Sequence, residues 1–245
     1  MRPLSVTFAL LLFATNVSAA GHFVDYQVND QIYEGYFISP ANNAPLVLMI
    51  HDWDGLTDYE VKRAGMLAEL GYSVFAADMF GKSVRPTATA DKKKLTGSLY
   101  QDRTKMRSLL DGALAAAKAQ GGNPDNAVTI GYCFGGAVTL EHARSGTPMK
   151  GFVSFHGGLS TPEGQDYSET KGNVLVFHGS ADTAVSMQDF ANLTGELEKA
   201  KIPHEMITYS GAPHAFTVFG SERYRKDADE KSWRRFTEYL TETLR

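Results

Sequence analysis

The spacing of apolar residues changes period several times along the chain, and each change marks an element. The runs "HFVDYQV" (His22 to Val28) and "IYEGYFISP" (Ile32 to Pro40) flank Asn29-Asp30, which predicts a β-hairpin at the entrance of the domain. Pro45 to Ile50, "PLVLMI", is apolar without a break, the pattern of a strand covered on both faces. Tyr59 to Gly71 follows with helical spacing and a closing glycine, and Tyr72 to Asp78 predicts the next strand. A polar linker is expected up to about Leu95, then one long helix from near Tyr100 to Gln120. Ala127 to Gly131 reads as a strand and Gly135 to about Arg144 as the helix leaving it. "MKGFVSFHG" and "NVLVFHG" are further strands, Ser186 to Ala200 a helix, "HEMITY" a strand, and Lys226 to Leu244 a terminal helix.

Strand and helix alternate through the whole of residues 21–245, which predicts an α/β fold: a mostly parallel sheet with helices on both faces. No internal repeat and no Pro-, Gly- or Ser-rich linker divides it, so a single domain is expected. In such a sheet ligands bind beyond the carboxyl ends of the strands, and the residues found there carry the chemistry.

The first twenty residues have a different character. Arg2 precedes the apolar run Leu4 to Ala14, and "NVSAAG" follows with small residues suited to cleavage after Ala19 or Ala20. That is the layout of a signal peptide on residues 1–20, and the apolar run is too short to span a bilayer comfortably. An exported chain, periplasmic or secreted, is expected, with no membrane partner once the leader is removed. The net charge of −4 gives no basic face for nucleic acid. The mixed runs Asp91 to Leu95 and Arg223 to Arg235 read as solvated faces. One cysteine is present in 245 residues, so in an oxidising compartment it has no partner within the chain.

That cysteine, Cys133, stands in Gly131-Tyr132-Cys133-Phe134-Gly135, a G-x-C-x-G nucleophile elbow with sulfur in place of a serine oxygen. Glycines two positions to either side leave room for a sharp strand-to-helix turn, and the helix N-terminus favours thiolate. A small buried cysteine beside packing glycines is the plainer alternative. Asp182 follows the strand "NVLVFHG" and could hold an imidazole in one tautomer, or could cap the helix that starts near Ser186. His214 lies in the loop "GAPHAF" after "HEMITY", free to reach over the sheet or to stay on the surface. The order nucleophile, acid, histidine is that of an α/β-hydrolase, and each residue follows its own strand.

With these segments in view, "GYCFGG", "HGSAD" and "GAPHAF" resemble the signature segments of the dienelactone hydrolase family, α/β-hydrolases with a cysteine nucleophile. The resemblance runs from about Phe23 to Leu244. It implies hydrolysis of a carboxylic ester or lactone through a thioester on Cys133, with His214 moving the proton and Asp182 orienting it. The oxyanion would meet the backbone N–H of Phe134 and of Trp53. The family commonly carries a Glu, controlling the thiol's ionisation, where this chain has Asp52, one methylene shorter. Lys82 matches an arginine that binds a substrate carboxylate, and offers a point charge in place of a fork.

No cofactor is called for, and the expected partner is a small-molecule ester or lactone. His51, Asp52 and Asp54 are acid and imidazole groups on one strand end, and positions so close in sequence do not converge on one metal ion. His156 and His178 end strands and read as pocket rim or as hydrogen-bonded packing. Phe80, Tyr132 and Phe134 suit an apolar acyl site or the core, and His22, His142 and His204 join no constellation. Pocket walls are expected from Gly81 to Leu95 and from Ser160 to Thr170. Two other classes of function stand beside the hydrolase: a binding protein on a hydrolase scaffold without turnover, and a thiol redox protein, which would lack a resolving cysteine.

Overall fold

The computed structural model describes residues 20–244; the signal peptide expected on residues 1–20 therefore lies almost wholly outside the described residues. Eight strands form one sheet in the order β1-β2-β4-β3-β5-β6-β7-β8. β1 (His22–Val28) and β2 (Gln31–Ile38) are the expected hairpin, antiparallel to each other and, through β2, to β4 (Ser73–Ala77). Asn29 takes a left-handed φ of 52° at the turn, a conformation that asparagine tolerates better than most residues. The other strands, β3 (Pro45–Ile50), β5 (Asn123–Tyr132), β6 (Gly151–Phe155), β7 (Asn173–Gly179) and β8 (His204–Tyr209), pair in parallel.

The unbroken apolar runs follow from burial on two sides. Along β3, Leu46, Leu48 and Ile50 join one core and Val47 and Met49 the other, as the two-residue period of a strand requires. The first core is closed by α3 (Arg103–Ala119), α4 (Phe134–Arg144) and α5 (Met187–Ala200), and the second by α1 (Asp58–Glu69) and α6 (Lys226–Leu244).

One expectation for the secondary-structure elements fails. The linker to Leu95 and the single helix from Tyr100 are instead two helices, α2 (Thr89–Gln101) and α3, divided at Asp102. Asp102 leaves helical geometry (φ −118°, ψ 80°), and its carboxylate accepts the Lys105 N–H at 2.9 Å, so it caps α3 and ends α2 together. In α2 only Thr96 and Leu99 are buried, too few to write a helical stripe.

From β3 the chain moves to β4 on one side and β5 returns on the other, so β3 and β5 meet where the strand order reverses. That is the crevice in which open α/β sheets bind ligands. Cys133 lies just past the end of β5.

Candidate active site

Cys133 links β5 to α4 with φ 52° and ψ −112°, a backbone geometry that a β-carbon normally opposes and that persists only where its surroundings enforce it. The glycines supply the room. A Cβ on Gly131 would stand 2.0 Å from the Gly135 carbonyl oxygen, and one on Gly135 would stand 2.3 Å from the Ile50 oxygen and 2.6 Å from that of His51. Gly135 thus lets the first turn of α4 rest against the end of β3, bringing Phe134 beside the loop that carries Trp53. The Phe134 N–H is the first of α4 and has no acceptor within the helix.

From the thiol a row of hydrogen bonds runs outward. Cys133 Sγ lies 3.1 Å from His214 Nε2, and His214 Nδ1 lies 2.8 Å from Asp182 Oδ2. Asp182 Oδ1 accepts the N–H groups of Ala184 at 2.8 Å and Val185 at 2.9 Å. The alternative role for Asp182 as a helix cap falls to Ser186, which caps α5 in a capping box with Asp189. Burial disfavours a charge on Asp182, but its bonds to His214 and the two amides hold its pKa below the ordinary carboxylate value. Burial likewise opposes charge on His214, yet the hydrogen bonds to Asp182 and Cys133, and their charges, raise it to about 10. The imidazolium is favoured beside the Asp182 carboxylate.

Asp52 is buried at the end of β3, where Oδ1 accepts the Asp54 N–H at 2.7 Å. Desolvation pushes its pKa up to about 6, and the nearby positive charges of Lys92 and His214 restrain the rise. It thus senses the charge of the imidazole. Lys82 follows β4 on the exposed surface, with its ammonium paired to Asp25 of β1.

His51 is fully occupied by backbone: Nε2 accepts the Met79 N–H at 3.1 Å, so Nδ1 carries the proton given to the Asp52 carbonyl at 2.5 Å. It joins the loops after β3 and β4, and burial lowers its pKa to about 4. His142 packs in the core against Thr129 and Phe152. Phe134 stacks with His51 and Phe80 meets the same ring edge-on, while Tyr132 stacks with Phe155, behind the elbow.

Three residues at the site were not singled out by the sequence, although Lys92 lies in the Gly81 to Leu95 stretch expected as pocket wall and in the Asp91 to Leu95 run read as a solvated face, where its side chain is instead largely buried. Tyr100, at the end of α2, packs its ring 5.6 Å from that of Phe134 (between centroids); burial raises its hydroxyl pKa, and charge on Cys133 raises it further. Arg103 lies with its guanidinium 5.1 Å from the Tyr100 ring centroid. Lys92 pairs with Asp54 and lies 5.2 Å from the Trp53 ring centroid, tying α2 to the loop after β3. These contacts make α2 a wall of the site, while much of Ser160 to Thr170 is tied elsewhere: Gln165 and Tyr167 bind Arg144 at the far end of α4. A groove of about 460 Å³ lined by Lys150, Asn173, His204 and Arg235 is at the amino ends of the strands, away from the thiol.

A sheet with one strand-order reversal, a strained elbow at the carboxyl end of β5 and acid and histidine on later loops is the architecture of the α/β-hydrolases. The chain belongs to the dienelactone hydrolase family, whose model matches residues 33–244. A relative from Salmonella typhimurium (strain LT2) named carboxymethylenebutenolidase is 24% identical over 208 residues, covering 81% of this chain and 77% of its own. One of the same name from Synechocystis is also 24% identical, covering 86% and 92%. The crystal structure of P91, a dienelactone hydrolase-like promiscuous phosphotriesterase from metagenomic libraries, superposes with a TM-score of 0.86 at 30% identity, over 93% of this chain and all of that one. The protein is an enzyme of the hydrolase class. Among the described residues no helix is long and apolar enough to cross a membrane.

Proposed function

We propose that this enzyme hydrolyses small carboxylic esters or lactones by acyl transfer through Cys133. The supporting observation is the continuous row Sγ···Nε2 and Nδ1···Oδ2 at 3.1 and 2.8 Å. His214 takes the thiol proton as Sγ forms a bond to the acyl carbon. The carbonyl oxygen becomes an oxyanion facing the N–H groups of Phe134 and Trp53, and losing one such donor costs about 10² to 10³ in rate. Collapse breaks the acyl C–O bond, and His214 returns its proton to the leaving oxygen, which in a lactone stays tethered to the acyl group. Water then gives a proton to His214 and attacks the thioester, and the thiol leaves with that proton.

Asp52, beside this pair, is the group we assign to control of the thiol's ionisation. Lys82 is assigned to a substrate carboxylate, which would exchange with Asp25. Export belongs to the same reading, with cleavage after Ala19 or Ala20 a few residues before β1; N-terminal sequencing of the protein from its host compartment tests it.

The mechanism is tested with aryl esters and lactones, with and without a carboxylate, plus an aryl phosphotriester because of the metagenomic relative. Cys133→Ala is expected to abolish acyl turnover, and the wild type to give a burst with an acyl adduct on Cys133. Full turnover by Cys133→Ala refutes this nucleophile. Stoichiometric acylation without turnover supports the binding-protein reading, and peroxide reduction outrunning ester cleavage supports the redox one.

A further inference from the structure

The geometry points to His156 as a positioning residue that ties the backbone of the nucleophile to the loop of the catalytic histidine, holding sulfur and imidazole at reacting distance from behind. The inference rests on Cys133 being the nucleophile.

His156 follows β6 and is wholly buried. Its φ of 41° is a left-handed conformation unusual for histidine, so the surroundings hold a strained backbone in place. The Cys133 N–H points at two acceptors, the Phe155 carbonyl at 3.0 Å and His156 Nδ1 at 3.2 Å. An amide only donates, so Nδ1 accepts, and the proton of the neutral ring sits on Nε2. From there it is given to Thr217 Oγ1 at 2.8 Å. Thr217 is three residues beyond His214. One ring therefore fastens the elbow at one end and the histidine loop at the other, and it also packs edge-to-face on His214 with centroids 5.5 Å apart.

The far end is anchored. Thr217 Oγ1 lies 2.7 Å from the Tyr59 hydroxyl, which receives Arg63 Nε at 3.3 Å; Arg63 also donates to the Thr217 carbonyl at 3.0 Å and pairs with Asp229 of α6. Arg63 and Asp229 are themselves buried. The network thus joins α1, α6, the elbow and the histidine loop through side chains that take no part in bond making. Burial and the positive charge of His214 keep His156 well below the usual histidine pKa. That matches its task, because a protonated ring would turn a second donor toward the Cys133 amide and could no longer accept from it.

Three variants test this, His156→Phe, His156→Asn and Thr217→Val, each read by ester hydrolysis and by the pH profile of iodoacetamide alkylation of Cys133. Phenylalanine fills the space without accepting or donating. It is expected to lower kcat about 10- to 100-fold with KM unchanged, as a small misplacement of reacting groups does. It should also move the alkylation midpoint upward by about half a pH unit, since the thiolate loses a well-placed imidazolium. Asparagine tolerates the left-handed backbone and offers an acceptor to the Cys133 amide, so it should recover most of the alkylation profile. Thr217→Val cuts the other end and should shift the midpoint in the same direction as phenylalanine. If His156→Phe and Thr217→Val both keep kcat and the alkylation midpoint within about twofold and a tenth of a pH unit of wild type, the positioning role is overturned. Should His156→Phe fail to fold, Thr217→Val decides alone by the same two criteria. Alkylation reads the thiol's surroundings without turnover, so failure here is distinct from failure of the Cys133 assignment, which Cys133→Ala reports.

Discussion

Asp182→Asn is the substitution whose outcome the geometry constrains most tightly. The side chain is buried, so the amide must occupy the same space. Its oxygen can keep the N–H groups of Ala184 and Val185, now accepted at 2.8 and 2.9 Å. That choice turns an NH2 group toward His214 Nδ1, where the carboxylate oxygen stands at 2.8 Å. Nδ1 must then accept, the ring proton moves to Nε2, and Nε2 faces the thiol as a donor unable to take its proton. The electrostatic loss adds to this. His214 is raised from 6.5 to about 10, a shift worth roughly 4 to 5 kcal/mol at 1.36 kcal/mol per unit. Asp182 and Cys133 share that stabilisation. Removing half of it costs roughly 30- to 70-fold in imidazolium formation, and the wrong tautomer extends the loss toward the 10⁴ seen for such a change in a serine triad.

The same pair sets a pH dependence of stability. The raised His214 stabilises the fold fully below its unfolded value of 6.5 and loses this as pH rises through about 10. The lowered Asp182 stabilises it above its unfolded value of 3.8 and loses this as pH falls. The melting temperature of Asp182→Asn should therefore fall furthest below wild type between about pH 4 and 6.5, and the gap should narrow as pH rises toward 10. Steady-state hydrolysis at pH 7 and melting from pH 4 to 10 are the assays. A loss in kcat below tenfold, with parallel melting curves at every pH, refutes both the orienting role and the electrostatic account.

Other outcomes follow from the same contacts. Gly131→Ala places a methyl group against backbone of α4 that has no room to retreat, so a loss of stability at or above the 1–3 kcal/mol usual for overpacking is expected; chemical denaturation measures it, and an unchanged midpoint counts against the elbow geometry. Asp52→Asn removes a carboxyl whose pKa stands at about 6 against 3.8 unfolded. The penalty is absent below pH 3.8 and complete above about 6, so the variant should be more stable by up to roughly 3 kcal/mol at pH 8 and equal at pH 3.5, measured by urea unfolding. Lys82→Ala should raise KM for carboxylated esters about fivefold, the size of one exposed charge contact, and leave neutral esters unchanged; equal effects on both classes would remove Lys82 from the site.

The parts of this molecule legible in its sequence are those set by local or nearest-neighbour rules. β3 and β7 declare themselves because both faces are covered, and the hairpin because two β-rich runs flank Asn29-Asp30. The meeting of Cys133, Asp182 and His214 needs only that each follow a parallel strand, since strand ends share one edge of the sheet whatever the details of packing. What escapes are relations between non-adjacent loops and helices. α2 buries two residues, so its periodicity is silent, and with it the approach of Tyr100 and Lys92 to the site. Asp182 reads equally as cap or orienter until Ser186 is seen to take the cap. His156 is the sharpest case: rim and packing are both readable from a histidine at a strand end, but the role proposed for it depends on Thr217, 61 residues away. A residue's position at the strand edge is therefore enough to nominate it for chemistry, whereas the direction of its hydrogen bonds, which decides between reacting and positioning, is written by whichever distant loop supplies the partner.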